Sequence, residues 1–318
     1  MARVMLLMLL SLGFASAGAR AETRSGLMLR PMPKGKNTEL GLEVRHYLDS
    51  KTDAGFDGTM FLLDAGGRIR LKPELERRSP LLGFDVTRIE VGPNDPLLPG
   101  SLTDASVAVG FGFPAGDWIV NLTLGVGFAG DEPFDGRGAY GLGSVTTTKF
   151  IDKGNFLQFG VDFDGNRPIF PDVPLPVVVW TRVWNKTLRT SIGIPFLGIT
   201  WDPSDTWTIE FRGIPGIFQS GRVIYHLGED IDVFVRYGGT NFRFLVDGFP
   251  NDNRRLFYTE ERVEFGVTAT VNRTCVITFT AGWTFDRKYE TGWDVRDTTR
   301  ITGLDDAAFL GLTVAITF

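Results

Sequence analysis

The chain has 318 residues, a formal net charge of −5, 39 glycines, 26 phenylalanines and one cysteine. The mild acidity and the lack of a basic stripe exclude a nucleic-acid binder, and the lone Cys275 excludes an intramolecular disulfide framework. Beyond the first residues no apolar run approaches the roughly 20 residues a membrane-spanning helix needs, which leaves a large soluble β-protein or a transmembrane β-barrel.

Arg3 precedes a short apolar run over residues 4–12. The small-residue stretches Ala15-Ser16-Ala17 and Ala19-Arg20-Ala21 follow it. This order reads as a secretory signal over residues 1–21. Residues 22–37, with Pro31, Pro33, Lys34 and Lys36, read as a flexible periplasmic leader. The barrel is expected over residues 38–318.

Its first strand is predicted at 38–47, with Leu40, Leu42, Val44 and His46 on one face and Gly41, Glu43, Arg45 and Tyr47 on the other. Residues 105–113 and 118–128 alternate around the turn Pro114-Ala115-Gly116-Asp117. The second segment is long enough to cross a bilayer as a tilted strand, which takes about 9–11 residues. It carries Trp118 and Phe128 at its ends, where aromatic rings suit the headgroup layer. Trp207, Trp283 and Phe285 are expected at the same interfaces. Alternation continues through 157–163, 207–212, 231–237, 263–271 and 275–285. Residues 310–318 set Leu310, Leu312, Val314, Ile316 and Phe318 against Gly311, Thr313, Ala315 and Thr317. Strand 307–318 is expected to close the barrel against 38–47, with Phe318 as the assembly signal read by the barrel-insertion machinery. The fold expected is an all-β, closed antiparallel transmembrane barrel of about 12 strands, in a range of about 10–14. Long loops are placed at 91–102, 129–139, 185–200 and 289–304, and short turns near Pro114, Lys153, Glu229 and Arg273.

Residues 171–212 are the most distinctive. Pro174, Pro176 and Trp180 lead to Ile194-Pro195-Phe196-Leu197-Gly198-Ile199-Thr200-Trp201. The turn Asp202-Pro203-Ser204-Asp205 then precedes a strand that opens on Trp207, with Pro215 downstream. This stretch resembles an uncharacterised family of bacterial outer-membrane β-barrel domains, most closely over 175–215, and departs from it in the insertion at 182–189. The resemblance implies an outer-membrane location with lipid around the barrel and brings no activity with it.

Chemistry is sparse. His46 and His226 are the only histidines, and no cluster has the spacing of a metal site or a cofactor motif. Asn185, Ser220 and His226 are the weak case for a hydrolase, with no Gly-x-Ser-x-Gly element. Asn121-Leu122-Thr123, Asn185-Lys186-Thr187 and Asn272-Arg273-Thr274 match the glycosylation triplet and read as chance. Asp49, Asp53, Asp57, Asp162 and Asp164 read as solvated rim acids. Glu43, Arg45, Glu210, Arg212, Arg236, Arg243 and Glu264 are expected inside the barrel. They form either a structural Glu–Arg network or the lining of a passive channel for small solutes. The structural, non-catalytic envelope barrel is the first expectation, the channel the second and the hydrolase the third.

Overall fold

The computed structural model describes residues 32, 35–92, 96, 98–132, 136–152, 154–214, 218–246 and 253–318. The expected export signal over 1–21, most of the expected leader over 22–37 and Pro215 lie outside them.

Alternating residues and tight turns generate one antiparallel sheet that closes on itself. Its first strands are β1 (Thr38–Tyr47), β2 (Met60–Arg70), β3 (Leu81–Val91), β4 (Ser101–Ala115), β5 (Trp118–Gly130), β6 (Ala139–Phe150) and β7 (Asn155–Asp164). Five short strands follow: β8 (Leu175–Val183), β9 (Leu188–Ile194), β10 (Leu197–Ser204), β11 (Trp207–Ile214) and β12 (Phe218–His226). The longest come last: β13 (Ile231–Phe244), β14 (Arg255–Asn272) and β15 (Cys275–Gly292), then β16 (Thr299–Leu304) and β17 (Ala307–Thr317). β15 pairs with β17 along its first half and with β16 along its second, so the two short pieces share one position in the wall. Sixteen strands therefore close the barrel, with β16 as an upward continuation of β17. The seam is β1 against β17, in register from Glu39↔Thr317 to Tyr47↔Phe309.

The expectation of about 12 strands is corrected by two regions. Residues 60–91 form the hairpin of β2 and β3, whose inner faces mix Met60, Leu62, Asp64 and Arg68 and so blur the alternation. Residues 185–200 are not a loop. They contain β9 and the first half of β10, strands of 7 and 8 residues, shorter than the length the bilayer-crossing criterion seeks.

Both edges of the seam, Thr38 and Phe318, lie at one end of the barrel, here the lower end. The connections there are short and built by side chains. The Asn272 carboxamide oxygen accepts from the Thr274 and Cys275 amides, and Asn185 does the same for Thr187 and Leu188. Two of the three glycosylation-like triplets are thus side-chain-capped turns. Gly116 turns the β4–β5 hairpin at φ +61°, a backbone glycine adopts without strain.

The outer face is apolar, with Leu124, Val126, Phe265, Phe279 and Leu310 all more than half exposed. Trp207 packs at a tilt against Tyr225, and Trp118 lies edge-on to Phe159 beneath the Lys149 ammonium, all near the lower turns. Phe285 stacks on Tyr237 higher up, and Trp283 is half-exposed beside them. Phe128 is covered rather than presented outward, buried at the top of β5.

The interior is graded along the barrel axis. Near the lower end, inward side chains such as Asn121, Thr148 and Gln158 are half-exposed. Towards the upper end Tyr47, Met60, Leu62, Ile89, Leu102, Phe244, Tyr258 and Tyr289 are buried in one cluster. That cluster joins opposite walls because the tips of β13–β15 fold inward. The Leu245 amide donates to the Ala129 carbonyl at 2.9 Å, and β5 lies eight strands from β13 in either direction around the wall. The bend follows one line across adjacent strands. It runs through Gly238-Gly239, the β14–β15 register shift beside Glu260, Asp286 at φ +48°, and the break between β16 and β17. The interior is filled above and carries partly exposed polar groups among buried ones below.

Candidate lumenal site

Register fixes which charges meet inside. Across β9 to β14 the inward residues run Arg189↔Thr200↔Glu210↔Arg222↔Arg236↔Glu264. One rung higher the row is Ser191↔Gly198↔Arg212↔Ser220↔Gly238↔Arg262. Arg212 reaches Glu210 at 3.5 Å, and Arg236 is ion-paired with Glu264, which also takes Arg262 Nε at 3.3 Å. Arg222 lies over the Phe234 ring at 3.8 Å, and the Arg189 guanidinium donates to Thr200 Oγ1 at 3.3 Å. Among the described residues neither Arg189 nor Arg222 has a carboxylate at ion-pair distance.

Above this wall the Glu260 carboxylate is a buried hub. It accepts from Tyr47 Oη at 2.8 Å, Tyr258 Oη at 2.7 Å, Arg262 at 3.1 Å and Arg45 at 3.3 Å. Arg45 is also ion-paired with Glu43 on its own strand. The expected residues Glu43, Arg45, Glu210, Arg212, Arg236 and Glu264 thus share the inner face of neighbouring strands.

Arg243 does not join them. It follows the register of Val233, Val235 and Tyr237 rather than that of Arg236, and it lies above the bend, where its carbonyl accepts from Asn166 Nδ2. Glu260 and Arg262 were not among the expected residues. Their face was readable from Glu264 by counting back in twos, but their burial required the inward fold of the strand tips.

His226 meets neither Asn185 nor Ser220. Its Nδ1 contacts Asp232 at 2.6 Å and its Nε2 contacts Thr208 at 3.1 Å, while Thr208 Oγ1 donates to Asp202 at 2.6 Å. This chain of groups sits at the lower mouth on β10–β13. Finding it from sequence requires the register of four strands joined by very short turns. Among the described residues no group of metal-ligating side chains is assembled.

A clasp covers the folded tips from above. The segment between β7 and β8 reaches β14, where Arg255 donates to the Gly165 carbonyl at 2.7 Å and to Asp172 at 3.1 Å. Its Phe170 lies under the Arg296 guanidinium at 3.8 Å, and the Phe170 amide donates to Asp294 at 3.3 Å. Burial raises the Asp294 pKa, but hydrogen bonds from Arg296 and the Phe170 amide outweigh it and hold the carboxyl below its usual range. A depressed folded-state pKa contributes stability above the ordinary aspartate value of about 3.9 and loses it as pH falls through the lower value. Proteolysis at residues 165–174 is therefore expected to rise between about pH 6 and about pH 2.5. Asp294→Asn should flatten that difference, and an unchanged pH profile in the variant would remove Asp294 from the clasp.

No family model and no curated protein matches the chain. Solved structures similar to it include the toluene transporter TodX of P. putida, at 11% identity over 90% of each chain with a TM-score of 0.40. A bacterial polysaccharide outer membrane secretin is similar at 8% identity over 89% of this chain and 99% of that one, TM-score 0.42. Pseudomonas putida OprB at low pH is similar at 10% identity over 89% and 92%, TM-score 0.40. At these values the likenesses bring no solute and no mechanism to this chain.

Proposed function

We propose that the chain is an outer-membrane β-barrel that serves as a passive conduit for small polar solutes, with its lower end facing the periplasm. The observation that carries this reading is the strand number. Sixteen strands enclose more space than inward side chains can fill, whereas about eight leave only enough for packing. The lower lumen agrees, with half-exposed polar groups instead of an interdigitated core. A structural barrel, the first expectation from sequence, suits the filled upper half but leaves the wide polar lower half without a purpose. Folded tips across the upper lumen make the conduit narrow at that end.

Reconstitution of the purified chain in planar bilayers is expected to give discrete conductance steps. Membranes that hold the folded barrel yet stay electrically silent across a range of voltages would count against the conduit and for the structural barrel.

A further inference from the structure

We infer that the inner wall of β9–β14 is a binding site for small oxyanions, carboxylate or phosphate, and that these are the solutes the barrel admits. This rests on the conduit reading for transport, but not for binding.

The argument begins with the register. Arg222 and Arg236 are direct cross-strand partners on the lumenal face. Like charges placed opposite one another destabilise a sheet, and neighbouring positions could have alternated sign instead. On either side of this pair the signs do alternate, with Glu210 opposite Arg222 and Glu264 opposite Arg236, and Arg212 is paired with Glu210 along β11. A purely structural network would continue that alternation. The two rungs described above hold five arginines and two glutamates, and the surplus lies where water reaches the wall.

Arg222 is also fixed in place. Its guanidinium lies over the Phe234 ring at 3.8 Å, and its Nε is buried with no hydrogen-bond partner among the described residues. Stacking of this kind pre-orders the planar fork that recognises carboxylate and phosphate with two parallel hydrogen bonds. An oxyanion between Arg222 and Arg236 would supply the missing negative charge and relieve the repulsion. Of the other inward groups near the lower end of the lumen, Asn121, Thr148 and Gln158 are neutral, Glu39 is ion-paired with Arg68, and Asp202 and Asp232 at the lower mouth engage Thr208 and His226.

The test uses the full chain in two measurements. In planar bilayers under a potassium chloride gradient, the reversal potential is expected to show anion selectivity. Millimolar inorganic phosphate is expected to reduce the chloride current. The double variant Arg222→Ala, Arg236→Ala should lower the anion-to-cation permeability ratio about tenfold, the scale of one lost charge-assisted contact, and abolish the phosphate effect. In detergent, the unfolding temperature is expected to rise with sodium phosphate or sodium acetate beyond the rise with sodium chloride at equal ionic strength. That excess should vanish in the double variant.

Phosphate-specific stabilisation without any conductance would leave the site standing and remove the conduit. Channels with unchanged selectivity in the double variant, together with equal stabilisation by chloride and phosphate, would overturn the site and leave the conduit. A single Arg222→Gln variant guards against misfolding, since loss of its like-charged neighbour should leave the phosphate-free unfolding temperature unchanged or higher. A clear drop there would refute the repulsion on which the inference stands.

Discussion

Replacing Glu260 by alanine is expected to destabilise the barrel by about 3–5 kcal/mol and to increase its conductance. The carboxylate is buried and accepts from two tyrosine hydroxyls and two arginines, on strands that include both β1 and β14. Its removal leaves Arg45 and Arg262 buried beside each other with less compensating charge. Such a loss costs far more than the net worth of the pair, because the desolvated cations stay behind. The position of Glu260 localises the damage. It lies on the line where β13–β15 bend inward, so the tips that fill the upper lumen lose their tie to Tyr47 and Arg45. Faster hydrogen exchange is expected at residues 240–246 and 255–259, with little change at the lower girdle near Trp207. Glu260→Gln keeps an acceptor for the tyrosines and loses only the charge, so about 1.5–3 kcal/mol is expected. An alanine variant whose denaturation midpoint and single-channel conductance both match the parent would show that the hub holds nothing closed.

The behaviour of Glu260 shows where legibility in the sequence stopped. The outer belt is readable because outward positions follow one apolar rule, and β1 and the β4–β5 hairpin obey it in clean alternation. The seam was readable for the same reason, from Leu310 to Phe318. The inner face answers to no such rule. On β2 it carries Met60 and Leu62 above Asp64 and Arg68, because the upper half of that strand packs against folded tips while the lower half buries polar groups with partners, Asp64 with Thr87 and Arg68 with Glu39. A period-two reading takes such a strand for a loop, and the strand count falls short. Of the five short strands β8–β12, only β11 stands out by its alternation, and the others are lost differently. Their turns are too brief, and their spans too short, for a search tuned to bilayer-crossing segments. The charged wall suffered from both problems, since Arg222 has meaning only once Arg236 is known to face it across β12 and β13. Arg243 is misplaced because it lies an odd number of residues from Arg236, on the register of Val235 and Tyr237, and its burial follows from the inward fold of the strand tip, which the sequence does not show.

Deleting residues 307–318 is expected to abolish the membrane-inserted barrel altogether, the largest effect predicted for any change to this chain. β17 pairs with β1 over nine positions and with β15 over ten. Without it, β1 and β15 both present unpaired backbone amides and carbonyls to hydrocarbon. Each such group costs several kcal/mol, with no water to satisfy it. β1 and β15 could meet only in parallel in a fifteen-stranded wall, both running from the lower end to the upper, so the antiparallel register of the present seam cannot re-form. Removing Phe318 alone tests the finer point. Its amide donates to the Thr38 carbonyl at 2.9 Å, and its own carbonyl accepts from Asn37 and Thr38. The loss of these bonds lies at the rim, where water can replace them, so the finished barrel should keep most of its stability. If the terminal aromatic is also read during insertion, membrane levels in cells should fall far more than the unfolding temperature of refolded protein does. Equal declines in both would reduce Phe318 to an ordinary rim residue, and a shortened chain lacking all of 307–318 that still yields a heat-modifiable barrel would refute the seam itself.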